Sequence, residues 1–171
     1  MAREVVMRTR AQSLVAVAAA VSLALAGARS GRAGSWAADD PLAAAKAAVV
    51  EVVDAAYVDG IHNFRDPVAI RKGFHPGFEM LVLKNGQLEK LPIEKWIEAI
   101  EARNAKEPPP ADGKRTTTAA FPLVEVTGSA AVVKVELTRD GKLVFTDYLS
   151  LYQFEDGWKI VGKIFFRHPS D

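Results

Sequence analysis

Apolar positions change their spacing along this chain, and each change marks an element. Across residues 41–58, Leu42, Ala45, Val49, Val52, Val53 and Ala56 recur at steps of three and four, which lines one face of a helix. Asp39 or Asp40 can cap that helix, and Pro41 suits its first turn. Gly60 is the expected stop. Residues 66–73 repeat the signal on a small scale, with Asp66 as cap, Pro67 as start and Gly73 as stop of a second helix. Phe74-His75-Pro76-Gly77 reads as a turn. Residues 78–83 read as a strand, and Asn85-Gly86 turns the chain into a partner at 88–91. A third helix follows over 94–105, opened by Pro92 and Ile93, with a stripe of Ile93, Trp96, Ile97 and Ile100. The proline-rich stretch 106–114 can only be a loop. Four strands close the chain, at 116–127, 130–138, 143–154 and 158–167, with turns at Gly128-Ser129, Asp140-Gly141 and Asp156-Gly157. The order α-α-β-β-α-β-β-β-β, ending in an antiparallel meander, predicts an α+β fold.

The last two strands are the most apolar. A two-residue turn at Asp156-Gly157 would set Glu155 opposite Trp158 and Ser150 opposite Lys163. One face would then carry Asp147, Leu149, Leu151, Ile160, Ile164 and Phe166. This aliphatic face is expected to meet the helices. The other would carry Tyr148, Ser150, Tyr152, Val161, Lys163 and Phe165, an amphipathic surface suited to a homodimer interface. A slip of one residue would exchange these roles.

The N-terminal stretch has a different character. Arg3, Arg8 and Arg10 precede the uncharged apolar run 13–26, which ends in Ala24-Leu25-Ala26. That is the pattern of a secretory signal peptide over residues 1–26, with translation starting at Met1 or Met7. The run is short of the ~20 residues a membrane span needs, so no stable span is expected. Residues 27–40 read as a flexible leader and 41–168 as one domain. The expected location is periplasmic or extracellular. With no cysteine in the chain, disulfides, thiolate metal sites and lipidation of an N-terminal cysteine are ruled out. The formal charge of +1 falls to about −1 once the signal is removed. Acid and base are interspersed, unlike the basic stripe of a nucleic-acid binder. There is no phosphate-binding glycine loop and no metal-ligand spacing among the three histidines, so neither a cofactor nor a metal is expected.

Several short stretches together resemble one superfamily. They are Tyr57-Val58-Asp59-Gly60, Phe74-His75-Pro76, Leu91-Pro92 with Trp96, and Val126-Thr127-Gly128 with Ala130-Ala131-Val132. Asp147-Tyr148-Leu149-Ser150-Leu151, Gly157-Trp158-Lys159-Ile160-Val161 and Lys163-Ile164-Phe165 complete the set. The chain resembles the nuclear transport factor 2-like (cystatin-like) superfamily over most of its expected mature length. Within it, the chain looks like the "putative lumazine-binding" subgroup. The resemblance implies a cone-shaped curved antiparallel sheet packed around N-terminal helices. It implies a cavity but no particular activity, because the superfamily hosts both enzymes and binders.

On that fold Asp147 would stand in the wall of an apolar cavity, as a general base, a ligand anchor, or the partner of Lys134 or Lys163. Ketosteroid isomerase-like members tune such an acid by burial. His75 is either an acid or base, as in a scytalone dehydratase-like site, or a turn histidine bonded to backbone. His62 and His168 are weaker candidates. Tyr57, Phe78, Trp96, Phe121 and Phe166 could stack on a flat ligand, or could simply be core. Lys134 and Glu136 are expected to face solvent. Three readings follow, in order of preference. The first is an exported protein that binds a small aromatic or apolar ligand or serves as an accessory factor. The second is an isomerase, dehydratase or cyclase in which Asp147 and His75 exchange protons. The third is a closed-core structural dimer.

Overall fold

In the computed structural model, residues 40–109 and 112–169 are described. The signal-peptide and leader readings lie outside them, Asp40 excepted. Helix α1 spans Pro41–Val52. Asp40 caps it, its carboxylate accepting from the Leu42 amide at 2.9 Å. The helix does not stop near Val58 as its periodicity predicts. It widens into a π-helical segment over Val53–Asn63. Its end shows the wider ladder, with the Phe64 amide donating to the Asp59 carbonyl at 2.7 Å. Gly60 lies inside this segment rather than ending it. A Cβ there would stand 3.1 Å from Ile70 Cγ1, so the glycine admits the next helix. That helix, α2, spans Pro67–Gly73 and is capped by Asp66 as predicted.

Strands β1 (Phe74–Lys84) and β2 (Gln87–Pro92) form a hairpin. Its loop, Asn85-Gly86, has φ of 51° and 76°, the left-handed pair that a tight hairpin requires. The predicted turn at 74–77 is instead the start of β1. Helix α3 runs Ile93–Lys106. Strands β3 (Thr117–Thr127), β4 (Ala130–Arg139), β5 (Lys142–Phe154) and β6 (Gly157–Arg167) complete a six-stranded sheet. The order is β2-β1-β6-β5-β4-β3, and only β1 with β6 is parallel. This is the α+β arrangement expected.

One face of the sheet holds the helices. Val133, Val135, Leu137, Leu149, Leu151 and Ile160 pack there with Val49, Val53, Val58, Ile70, Ile93 and Ile97. Each fully buried aliphatic side chain of this kind contributes roughly 1.5–3 kcal/mol. The π segment is pinned to the start of β3 by Asn63. Its side-chain amide donates to the Thr117 carbonyl at 3.0 Å and accepts from the Thr116 and Thr117 amides at 3.0 and 2.9 Å. Outside this clamp, Arg115 forms ion pairs with Asp54 and Asp59 at 2.8 and 2.6 Å.

The β5–β6 register corrects the sequence reading. Phe154 pairs with Gly157, so the loop residues are Glu155 and Asp156, and Gln153 faces Trp158. Ser150 pairs with Gly162 and Leu151 with Ile160, leaving Val161 as an extra residue. Such a bulge reverses the facing of everything beyond it. Lys163 and Phe165 therefore turn inward, while Ile164 and Phe166 turn out, 51% and 59% exposed. Lys163 does not belong to the outer face with Tyr148 and Tyr152.

Candidate functional site

The bulge in β6 and the π segment deliver their side chains to the same place. Lys163 pairs with Leu149 across the strands, which sets it diagonal to Asp147 on the inner face. Its ammonium reaches Asp147 Oδ1 at 2.7 Å. Both residues are buried, at 6% and 0% exposure. Tyr57 donates its hydroxyl to the other oxygen, Oδ2, at 2.6 Å. A buried charge of either sign alone would be very costly, and the pair together is tolerable.

Four rings surround the ammonium. Lys163 Nζ lies 4.2 Å from the Phe165 centroid, 5.2 Å from Tyr57, and 5.9 Å from both Trp96 and Phe145. Their π faces partly replace the lost hydration. His62 stands edge-on to Tyr57, with ring centroids 4.9 Å apart. Its Nε2 is buried and has no partner among the described residues.

These surroundings move the titrating groups. Burial pushes the His62 imidazole down to about 3, helped by the nearby positive charges of Lys163 and Arg139, so it is neutral at physiological pH. Burial lowers Lys163 against the opposing pull of Asp147. Burial, then the Asp147 charge and hydrogen bond, raises Tyr57 well above its usual range. Among these groups Tyr57 stays protonated as the donor to Asp147.

A pocket of about 240 Å³ opens onto this cluster, lined by Tyr57, His62, Met80, Trp96, Phe145, Lys163, Phe165 and Arg167. Two larger depressions, of about 630 and 900 Å³, lie along α1. The first of them is shallower, and no buried polar atom lacking a partner lines either among the described residues.

Of the residues singled out from sequence, Asp147, Tyr57 and Trp96 come together here. Phe78 is fully buried, stacked behind Trp96 at 6.3 Å and edge-on to Phe74 at 4.9 Å. Phe121 lines the depression beside α1 and β3, and Phe166 is on the outer face. His75 is elsewhere. Its ring stacks on Phe154 at 4.7 Å, and its Nδ1 accepts from the Gly77 amide at 3.0 Å. Phe154 lies seven residues beyond Asp147 on β5, which is roughly 20 Å of strand. Asp147 and His75 therefore do not converge on one substrate, contrary to the expected pair. His62 was a weaker candidate from sequence and Lys163 one of two possible partners for Asp147, while Arg167 was not singled out. The widened helix carries His62 to the pocket and the bulge carries Lys163 there. Lys134 bonds Glu136 at 2.6 Å instead of Asp147.

Comparison with known proteins places this geometry in a family. The family model described as "Putative lumazine-binding" matches residues 44–166. The chain belongs to this family. A nuclear transport factor 2-like protein of unknown function from Shewanella baltica OS155 is similar to this family member at 26% identity and TM-score 0.58. The match covers 72% of this chain and 94% of that one. A second such protein of unknown function, from Silicibacter pomeroyi DSS-3, matches at 25% identity and TM-score 0.55, covering 73% and 94%. A third, from Methylobacillus flagellatus KT, shares the fold at 18% identity and TM-score 0.54, over 72% and 91%. No curated protein matches the sequence.

Proposed function

We propose that this lumazine-binding family member is an exported protein that holds one small, planar ligand in the pocket above the Tyr57–Asp147–Lys163 cluster. The observation that carries the reading is the pocket's chemistry. It has aromatic walls, one neutral imidazole whose buried Nε2 has no partner among the described residues, and two cations, Lys163 and Arg167. Aromatic walls favour a flat ring. The cations and the imidazole favour hydrogen-bond acceptors or a negative group on its edge. A volume of about 240 Å³ is below the ~300–1,000 Å³ of drug-sized sites, so the ligand has one or two rings. Lumazine, the bicyclic compound in the family's description, fits these criteria. Asp147 already meets Lys163 with one oxygen and Tyr57 with the other, so the geometry favours holding a ligand over proton abstraction by this carboxylate.

Export is part of the proposal and rests on the charge and apolar pattern of residues 1–26. The intact mass of protein recovered outside the cytoplasm should match a chain cut after Ala26 or Ala28. A homodimer through the outer sheet face is the third part, supported by Tyr148, Tyr152, Ile164 and Phe166 standing exposed there.

The binding test is calorimetric titration with lumazine. Saturable binding should weaken about tenfold in Trp96→Ala, which removes a stacking wall worth roughly 1–1.5 kcal/mol. Phe121→Ala, outside the pocket, should leave it unchanged. Equal loss in both variants, or no heat in the wild type, would contradict lumazine as occupant.

A further inference from the structure

Lys163 is an unusual ammonium. It lines the pocket, its side chain is 4% exposed, and four rings and one carboxylate make up its surroundings. Its one ion-pair partner among the described residues is Asp147. A lysine stripped of water inside an apolar pocket is the setting in which an amine acts as a nucleophile. We propose that Lys163 captures small aromatic aldehydes as an imine, with Asp147 as the counter-ion.

The inference rests on the pocket reading and names a ligand class for it. The ammonium passes a proton to Asp147, whose Oδ1 is 2.7 Å away. The free amine adds to the carbonyl carbon, and the carbonyl oxygen takes the proton shed by the nitrogen to give a carbinolamine. Asp147 returns its proton to the hydroxyl, and expulsion of water breaks the C–O bond and forms the C=N bond. With the nitrogen protonated, the balance is aldehyde plus ammonium giving iminium plus water. Charge is conserved, and no oxidant or reductant is required. The iminium restores a positive charge beside the Asp147 carboxylate, so it regains the ion pair that the ammonium had. The rings that surround the ammonium favour a delocalised cation as well. Burial also shifts Lys163 toward the free amine.

The experiment uses the mature protein, benzaldehyde and sodium cyanoborohydride at neutral pH, with peptide mapping of the reduced adduct. The benzyl adduct should collect on the Lys163 peptide at least ~tenfold above any other lysine, as expected for a desolvated amine. Lys163→Arg keeps a cation for Asp147 and cannot form an imine. It should fold, shown by its circular dichroism, and lose the selective adduct. Benzoate, a non-covalent analogue, is titrated in parallel. Benzoate binding with adducts spread evenly over surface lysines would overturn the imine and leave the pocket reading standing. Even labelling without benzoate binding would count against both.

Discussion

At the scale of single residues, the Asp147–Lys163 pair is where the molecule is most vulnerable. Neither charge has water to turn to, at 0% and 6% exposure. Removing one partner leaves the other buried and uncompensated, which typically costs about 3–5 kcal/mol. Lys163→Met and Asp147→Leu should each lower the stability to urea by that order. The double variant should recover part of the loss, since no uncompensated charge remains and only the Tyr57 hydroxyl loses its acceptor. A double variant as unstable as the sum of the singles would refute this account of the coupling. His62 sets a pH dependence of its own. Its folded value is about 3 against an ordinary 6.5. Above 6.5 both folded and unfolded chains hold it neutral, and it has no effect. As pH falls from 6.5 toward 3, the unfolded chain binds a proton that the folded chain refuses. Stability therefore drops, by at most about 1.4 kcal/mol per pH unit from this group. The difference in unfolding free energy between wild type and His62→Gln should change across that window and be flat above it. Parallel curves would mean that His62 is freely hydrated.

At the scale of elements, two irregularities, the widened helix and the β6 bulge, account for what was and was not legible in the sequence. Caps, turns and strand periods were readable because they are local. Asp40, Asp66 and Asn85-Gly86 act where the sequence places them. The fold followed from their order. The site did not, because its composition depends on non-local choices. Val161 could sit in the ladder or be squeezed out of it, and local propensity does not decide between the two. Packing decides, since the bulge turns Phe165 to the pocket, where it is half-buried, and brings Lys163 to Asp147. A regular ladder would have put Ile164 and Phe166 there. In the same way, the chain through Gly60 could end a helix or widen it, and only the approach of α2 distinguishes these outcomes. That approach is tight. A Cβ on Gly73 would overlap the Ala56 side chain and touch Val52. Gly73→Ala should cost about 1–3 kcal/mol by overpacking, read as a lowered Tm. Adding Ala56→Gly should return much of the loss by removing the opposing Cβ. If Gly73→Ala melts like the wild type, the α2–π-segment packing is looser than described.

For the whole molecule, the sheet divides two roles between its faces. The inner face supplies the core and the pocket wall. The outer face leaves Tyr148, Tyr152, Ile164 and Phe166 at 41%, 52%, 51% and 59% exposure, on the adjacent strands β5 and β6. Side chains of this size gain from being covered, and a stable interface needs about 800 Å² from each partner. The bulge that turns Lys163 inward also removes a charge from this surface and leaves aromatic and aliphatic groups in its place. The proposed homodimer through this face would thus share a single strand register with the pocket. Sedimentation of the mature chain should give a dimer at micromolar concentration. Ile164→Glu with Phe166→Glu should give a monomer with an unchanged circular dichroism spectrum, because both side chains point away from the core. Lumazine titration of that monomer should still show the pocket, as none of its lining residues is altered. A wild type that sediments as a monomer would leave this face without a partner copy. A variant that stays dimeric would move the interface elsewhere on the molecule.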